Sequence, residues 1–95
     1  MTTVKLPVSR RRLELTDREL EVVRLLACGA SDGDIATDLC ITVETASWHV
    51  GNIISKLHAN NRTHAAFIAL WRSFIPLDYL PTIAAYVPPL IRKEA

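Results

Sequence analysis

Ninety-five residues, 49% of them apolar and 22% charged, with a net charge of +1, exclude a disordered chain and leave room for one domain. That charge is a weak footprint for a nucleic-acid binder, where a strongly basic balance is usual, and two cysteines, Cys28 and Cys40, are too few for a disulfide scaffold and suit a reducing compartment. No stretch approaches the roughly 20 apolar residues of a membrane span, and the opening residues lack the apolar run of a signal peptide, so a cytoplasmic protein without membrane contact is expected.

Residues 1–14 read as an arm. Pro7 discourages helix, and Arg10, Arg11 and Arg12 would repel one another if packed together. Two readings stand side by side: a frayed, solvated terminus, or a basic arm lying on phosphates or in a minor groove. The first helix starts at Thr16, because Thr16-Asp17-Arg18-Glu19 is a capping box and Leu15 can staple onto Leu20. Leu20, Val23, Leu26 and Ala27 form its apolar stripe, and Gly29 ends it in a left-handed conformation. A short second helix is capped by Ser31, with Asp34 three residues on, and turns Ile35, Ala36 and Leu39 inward. Asp32, Asp34 and Asp38 read as a solvated acidic face. Cys40-Ile41 then makes a short turn before Thr42 caps the next helix, a spacing that matches a helix-turn-helix.

The third helix, Thr42 to His58, is the one the chain is organised around. Val43, Ala46, Val50, Ile53, Ile54 and Leu57 fill one face at steps of three, four and seven. The other face carries Glu44, Thr45, Ser47, Trp48, Gly51, Asn52, Ser55 and Lys56. A plain solvated face rarely holds a Trp and a mid-helix Gly, both below Ala in helix propensity. Something approaches this face closely, and the position of the helix makes DNA the expected object. A fourth helix follows the Asn60-Asn61 turn and is expected from Arg62 to Ile75, stopped by Pro76. It is apolar on most sides, so it needs two partner surfaces: helices one and three, and a second protomer. In the tail, 76–95, Asp78 is a candidate cap for a short helix with Leu80, Ile83, Ala84, Val87 and Ile91 as its stripe, interrupted by Pro88-Pro89. An extra helix folded onto the domain is the favoured reading; an oligomerisation or docking segment is the alternative.

Taken together, Leu15-Thr16-Asp17-Arg18-Glu19-Leu20-Glu21-Val22, Leu26-Ala27-Cys28-Gly29-Ala30-Ser31, Asp34-Ile35-Ala36, Leu39-Cys40-Ile41-Thr42, Thr45, His49, Asn52-Ile53, Lys56-Leu57 and Asn61-Arg62-Thr63-His64-Ala65 resemble the LuxR/GerE-type helix-turn-helix domain. The resemblance covers about residues 14 to 75, in register throughout. In size, and in lacking a sensor or receiver domain, the chain looks like the stand-alone, GerE-like members. The resemblance implies an all-α, four-helix domain over 15–75, here with a basic arm (1–14) and a short C-terminal helical extension (76–95). It also implies a DNA-binding transcriptional regulator whose third helix enters the major groove and whose fourth builds a homodimer, through Phe67, Ile68, Trp71 and Ile75.

Carried over by position, Ser47, Trp48 and Gly51 would meet base edges. Ser31, Thr42, Thr45, His49, Asn52 and Lys56, with Arg10, Arg11 and Arg12, would meet the DNA backbone. The chain departs from the family in lacking Lys or Arg at the base-reading positions, which forgoes the commonest major-groove contact. Ser47 would discriminate weakly, and Asp32 would face phosphates and weaken binding. His49 is as readily a packed histidine as a phosphate contact. The histidines and cysteines match no zinc spacing, so no metal is expected. No nucleophile–base pair, Gly-rich phosphate loop or carboxylate pair points to an enzyme or to a cofactor. A second function stays open: exposed Trp48, a basic-poor third helix and the apolar fourth helix and tail also suit a protein-interaction module binding another regulator or RNA polymerase.

Overall fold

The structure, a computed structural model, describes residues 15–92; the arm with Arg10, Arg11 and Arg12 lies outside the described residues. Among the described residues five α-helices follow in order, α1 (Asp17–Ala27), α2 (Asp32–Leu39), α3 (Val43–Lys56), α4 (Arg62–Trp71) and α5 (Leu80–Ala85). Short 3-10 turns lie at Leu77–Tyr79 and Pro89–Ile91, and there is no strand among the described residues.

Each of the first four helices starts on a side chain that occupies an otherwise unpaired backbone donor. Thr16 Oγ1 accepts from the Glu19 amide at 3.1 Å while Glu19 returns a bond to the Thr16 amide at 2.9 Å. Ser31 and Asp34 form the same reciprocal box, fuller than the sequence pattern suggests. Thr42 caps α3 and Asn61 caps α4. The four helices also end alike. After α1, α2, α3 and α4 the chain reverses through a left-handed residue, respectively Gly29, Cys40, His58 and Ser73. In each case the amide one residue further on bonds a carbonyl in the helix's last turn: Ala30 to Leu25, Ile41 to Ala36, Ala59 to Ile54 and Phe74 to Ala69.

Side chains from all four meet in one core. Val22, Val23 and Leu26 of α1 pack with Ile35 and Ala36 of α2, Ala46, Val50 and Ile53 of α3, and Ala65 and Ala69 of α4. Leu15, Ala30, Leu57 and Ile75 close it from the connecting segments. Burying each of the larger ones stabilises the fold by roughly 1.5–3 kcal/mol. α2 lies against α3, and α1 lies against both α3 and α4.

Four expectations are corrected. The third helix ends at Lys56, since His58 is already left-handed, and Val43 at its first turn is exposed. The fourth helix ends at Trp71, four residues before the expected Ile75, because Ser73 reverses the chain well ahead of Pro76. That reversal carries Ile75 into the core, where it is 1% exposed; it is not available to a second protomer. In the tail, Asp78 makes no cap bond, and Leu80, Val87 and Ile91 stay exposed. The residues that pack inward are Tyr79, Ile83 and Tyr86.

The tail is nevertheless fastened. Asp38 on α2 accepts from the Tyr86 hydroxyl at 2.7 Å and from Arg92 at 2.9 Å. These partners, Arg92 first, hold the Asp38 carboxyl below its ordinary value; burial and the neighbouring carboxylate push the Tyr86 hydroxyl up. Arg24 of α1 lies over the Tyr79 ring at 5.9 Å. The extension therefore folds onto α1 and α2.

Candidate nucleic-acid interface

The apolar residues of α3 that enter the core leave Ser47, Trp48, Gly51 and Ser55 on its outer face, all exposed. Trp48 is 64% exposed, an unusual position for a side chain of this size in a small domain. The ring of half-buried His49 tilts against it, centroids 5.3 Å apart. His49 Nδ1 is buried and has no hydrogen-bond partner among the described residues. The His49 ring thus lies beside Trp48.

Gly51 is informative for what surrounds it. Its backbone is helical, and a Cβ built there would meet nothing within 4 Å. Nothing among the described residues calls for a glycine at that position, although glycine costs a helix about 1 kcal/mol relative to alanine.

The residues expected at the DNA backbone fall at helix starts and along α3. Ser31 and Thr42 sit at the N-caps of α2 and α3, where amide groups and helix dipoles favour anions. Thr45 takes a hydrogen bond from the Thr42 hydroxyl at 2.9 Å, and Asn52 is half-buried on the third turn. Lys56 differs from the expectation of an ammonium free for phosphate. Its Nζ lies 2.8 Å from Glu19, whose side chain is 6% exposed. Burial raises that carboxyl, but the bonds from Lys56 and Thr16 outweigh it and hold Glu19 below its ordinary value.

The aspartates do not form a solvated face. Asp32, at the first position of α2, bridges three helices. Its Oδ2 accepts from the Ser47 hydroxyl on α3, and its Oδ1 accepts from Arg62, at the start of α4, at 2.8 Å. A second nitrogen of Arg62 donates to the Ala30 carbonyl at 2.9 Å. The Ser47 hydroxyl first, and then Arg62, hold the Asp32 carboxyl below its ordinary value. The negative charge expected to oppose phosphate is therefore paired with a guanidinium. Neither Arg62 nor the Asp32 bridge was identified from sequence, because the partners lie 15 and 30 residues apart and no local pattern links them.

On α4, Phe67 and Trp71 are 62% and 74% exposed, and Ile68 is half-buried. They share an outer apolar strip on the helix, since residues three and four apart lie on one face. No group of three or more His, Cys, Asp or Glu suited to a metal ion occurs among the described residues. No described helix is long and apolar enough to cross a membrane.

Comparison with known proteins places this geometry. The sequence model of GerE, described as bacterial regulatory proteins, luxR family, matches residues 13–69. The response regulator protein VraR of Staphylococcus aureus is 43% identical over 61 residues, as are its counterparts in Staphylococcus saprophyticus and Staphylococcus epidermidis. The alignment takes in 64% of this chain but 29% of each of those proteins.

Proposed function

From the premise that this chain belongs to the luxR family of bacterial regulatory proteins, a non-enzymatic DNA-binding helix-turn-helix family, we propose that it is a sequence-specific transcriptional regulator that lays α3 in the major groove of double-stranded DNA. Ser47, Trp48 and Gly51 face the base edges. Ser31, Thr42, Thr45 and Asn52 meet phosphates, with Arg10, Arg11 and Arg12 adding charge from the arm. His49 steadies Trp48, and Lys56 contributes to the phosphate field only with what its bond to Glu19 leaves over. Two protomers associate through Phe67, Ile68 and Trp71 on a pseudo-palindromic site.

The observation that carries this reading is the outer face of α3. An exposed Trp stands beside a glycine that packing among the described residues does not require. A backbone left bare of side chain admits close approach by a surface from outside, and the helix that bears it is the second of a helix-turn-helix. Hydroxyls, amides and helix N-termini are routine phosphate donors, so a basic helix is not a precondition for docking.

Fluorescence anisotropy of a mixed-sequence duplex, titrated from about 50 to 200 mM salt, tests it; a few phosphate contacts predict roughly a tenfold or larger loss of affinity over that range. Absence of binding at the lowest salt would overturn it. A second reading, a protein-interaction module binding another regulator or RNA polymerase, draws support from one observation. The only basic residue on α3, Lys56, is paired with Glu19, which leaves Trp48 as the dominant exposed feature. Capture of RNA polymerase by the wild type and not by Trp48→Ala, with no DNA binding, would favour it.

A further inference from the structure

We propose that Asp32 is a positioning residue that decides which bases Ser47 reads: by taking up the Ser47 hydroxyl proton it leaves Ser47 only lone pairs to present, so the protein selects a base with an exocyclic amino group at that position, adenine or cytosine, over guanine or thymine. The inference rests on the α3-in-groove reading and refines it.

The geometry behind it is a carboxylate held at both ends. Asp32 Oδ1 is taken by Arg62, and Arg62 is itself pinned to the Ala30 carbonyl, so the fork cannot swing away without losing two bonds. That leaves Oδ2 aimed at Ser47. An ionised carboxylate has no proton to give, so the proton in the Ser47–Asp32 bond belongs to Ser47. A serine hydroxyl ordinarily rotates to suit its partner and can donate or accept, which is why serine reads base edges loosely. Here that rotation is removed. Ser47 is exposed on the outer face of α3, and what it offers outward is an acceptor. In the major groove, adenine presents its N6 amino group and cytosine its N4 amino group as donors, while guanine O6 and thymine O4 are acceptors and would meet oxygen with oxygen. Arg62 also offsets the charge of Asp32, so this device does not place a bare carboxylate against phosphate.

Selection of sites from random duplexes by the wild type, Asp32→Asn and Ser47→Ala, followed by anisotropy on duplexes differing at one base pair, tests the proposal. The wild type should favour an amino-bearing base at one position by roughly three- to tenfold, the worth of one hydrogen bond. In Asp32→Asn the amide oxygen keeps Arg62, and its NH2 group turns to Ser47 and donates. The Ser47 hydroxyl is then free to donate as well as to accept, and the preference at the same position collapses. A merely structural role for Asp32 would weaken binding while keeping the preference for an amino-bearing base. Ser47→Ala, on an exposed site that the core does not use, should erase the preference at that position alone. Asp32→Asn added to it should change no base preference further. Retained DNA binding with the same base preference in Asp32→Asn, or in Ser47→Ala, overturns the proposal while leaving the groove reading intact. Failure of the wild type to bind any duplex at low salt overturns the groove reading, and the proposal with it.

Discussion

Lys56 Nζ and Glu19 Oε1 stand 2.8 Å apart, joining the last turn of α3 to the first turn of α1. The same carboxylate oxygen caps the Thr16 amide. One buried charge thus fixes both where α1 begins and how α3 lies against it. Lys56→Met leaves that carboxylate buried beside an apolar chain. Because Lys56 is partly exposed, the cost should fall below that of a fully buried pair, about 1–3 kcal/mol. Urea unfolding would measure it. The sign with pH follows from the depressed Glu19 value. Its contribution is complete above the ordinary 4.5 and is lost as pH falls below that towards the folded-state value. The wild type should therefore lose stability below about pH 4.5 more steeply than Lys56→Met; parallel profiles would show that the pair contributes nothing.

Gly51→Ala separates stability from binding. With open space around the new Cβ, alanine should stabilise the helix by about 1 kcal/mol, raising the melting temperature by roughly 4–8 °C for a domain of this size. If α3 approaches DNA closely at Gly51, affinity for the preferred duplex should fall in the same variant. A more stable protein with unchanged affinity would remove Gly51 from the contact surface.

Trp71 and Ile75 should respond oppositely. Trp71→Glu changes an exposed side chain. It should leave the melting temperature almost unchanged and, under the homodimer reading, convert the protein to monomers in sedimentation. Ile75→Ala opens the core and should cost about 2–5 kcal/mol without acting on association directly. A dimer that survives Trp71→Glu would place the interface elsewhere.

What the sequence discloses depends on how local the cause is. Thr16 and Glu19 announce α1 because a capping box is complete within four residues. Trp48 and Gly51 announce a contact face because both are costly on a solvated helix. The helix ends were legible only at Gly29. Cys40, His58 and Ser73 adopt the same left-handed turn without the residue that marks it, so α4 reads four residues too long and Ile75 falls on the wrong side of the fold. Asp32 is the plainest case. In sequence it is one of three clustered acids; Arg62 and Ser47 reach it from helices that only tertiary packing brings together. Asp38 is bound to Tyr86 and Arg92 in the same way, across 48 and 54 residues.

Ile75, Tyr79 and Tyr86 lie beyond residue 69, the last that the family model matches, yet they are packed on the core that the matched residues build. The matched segment and the packed unit are therefore different lengths of chain. A fragment trimmed to the matched segment would strip the cover from α1 and α2 and present freshly bared apolar surface to water. Burial, more than the span of a matched motif, marks where this molecule can be cut.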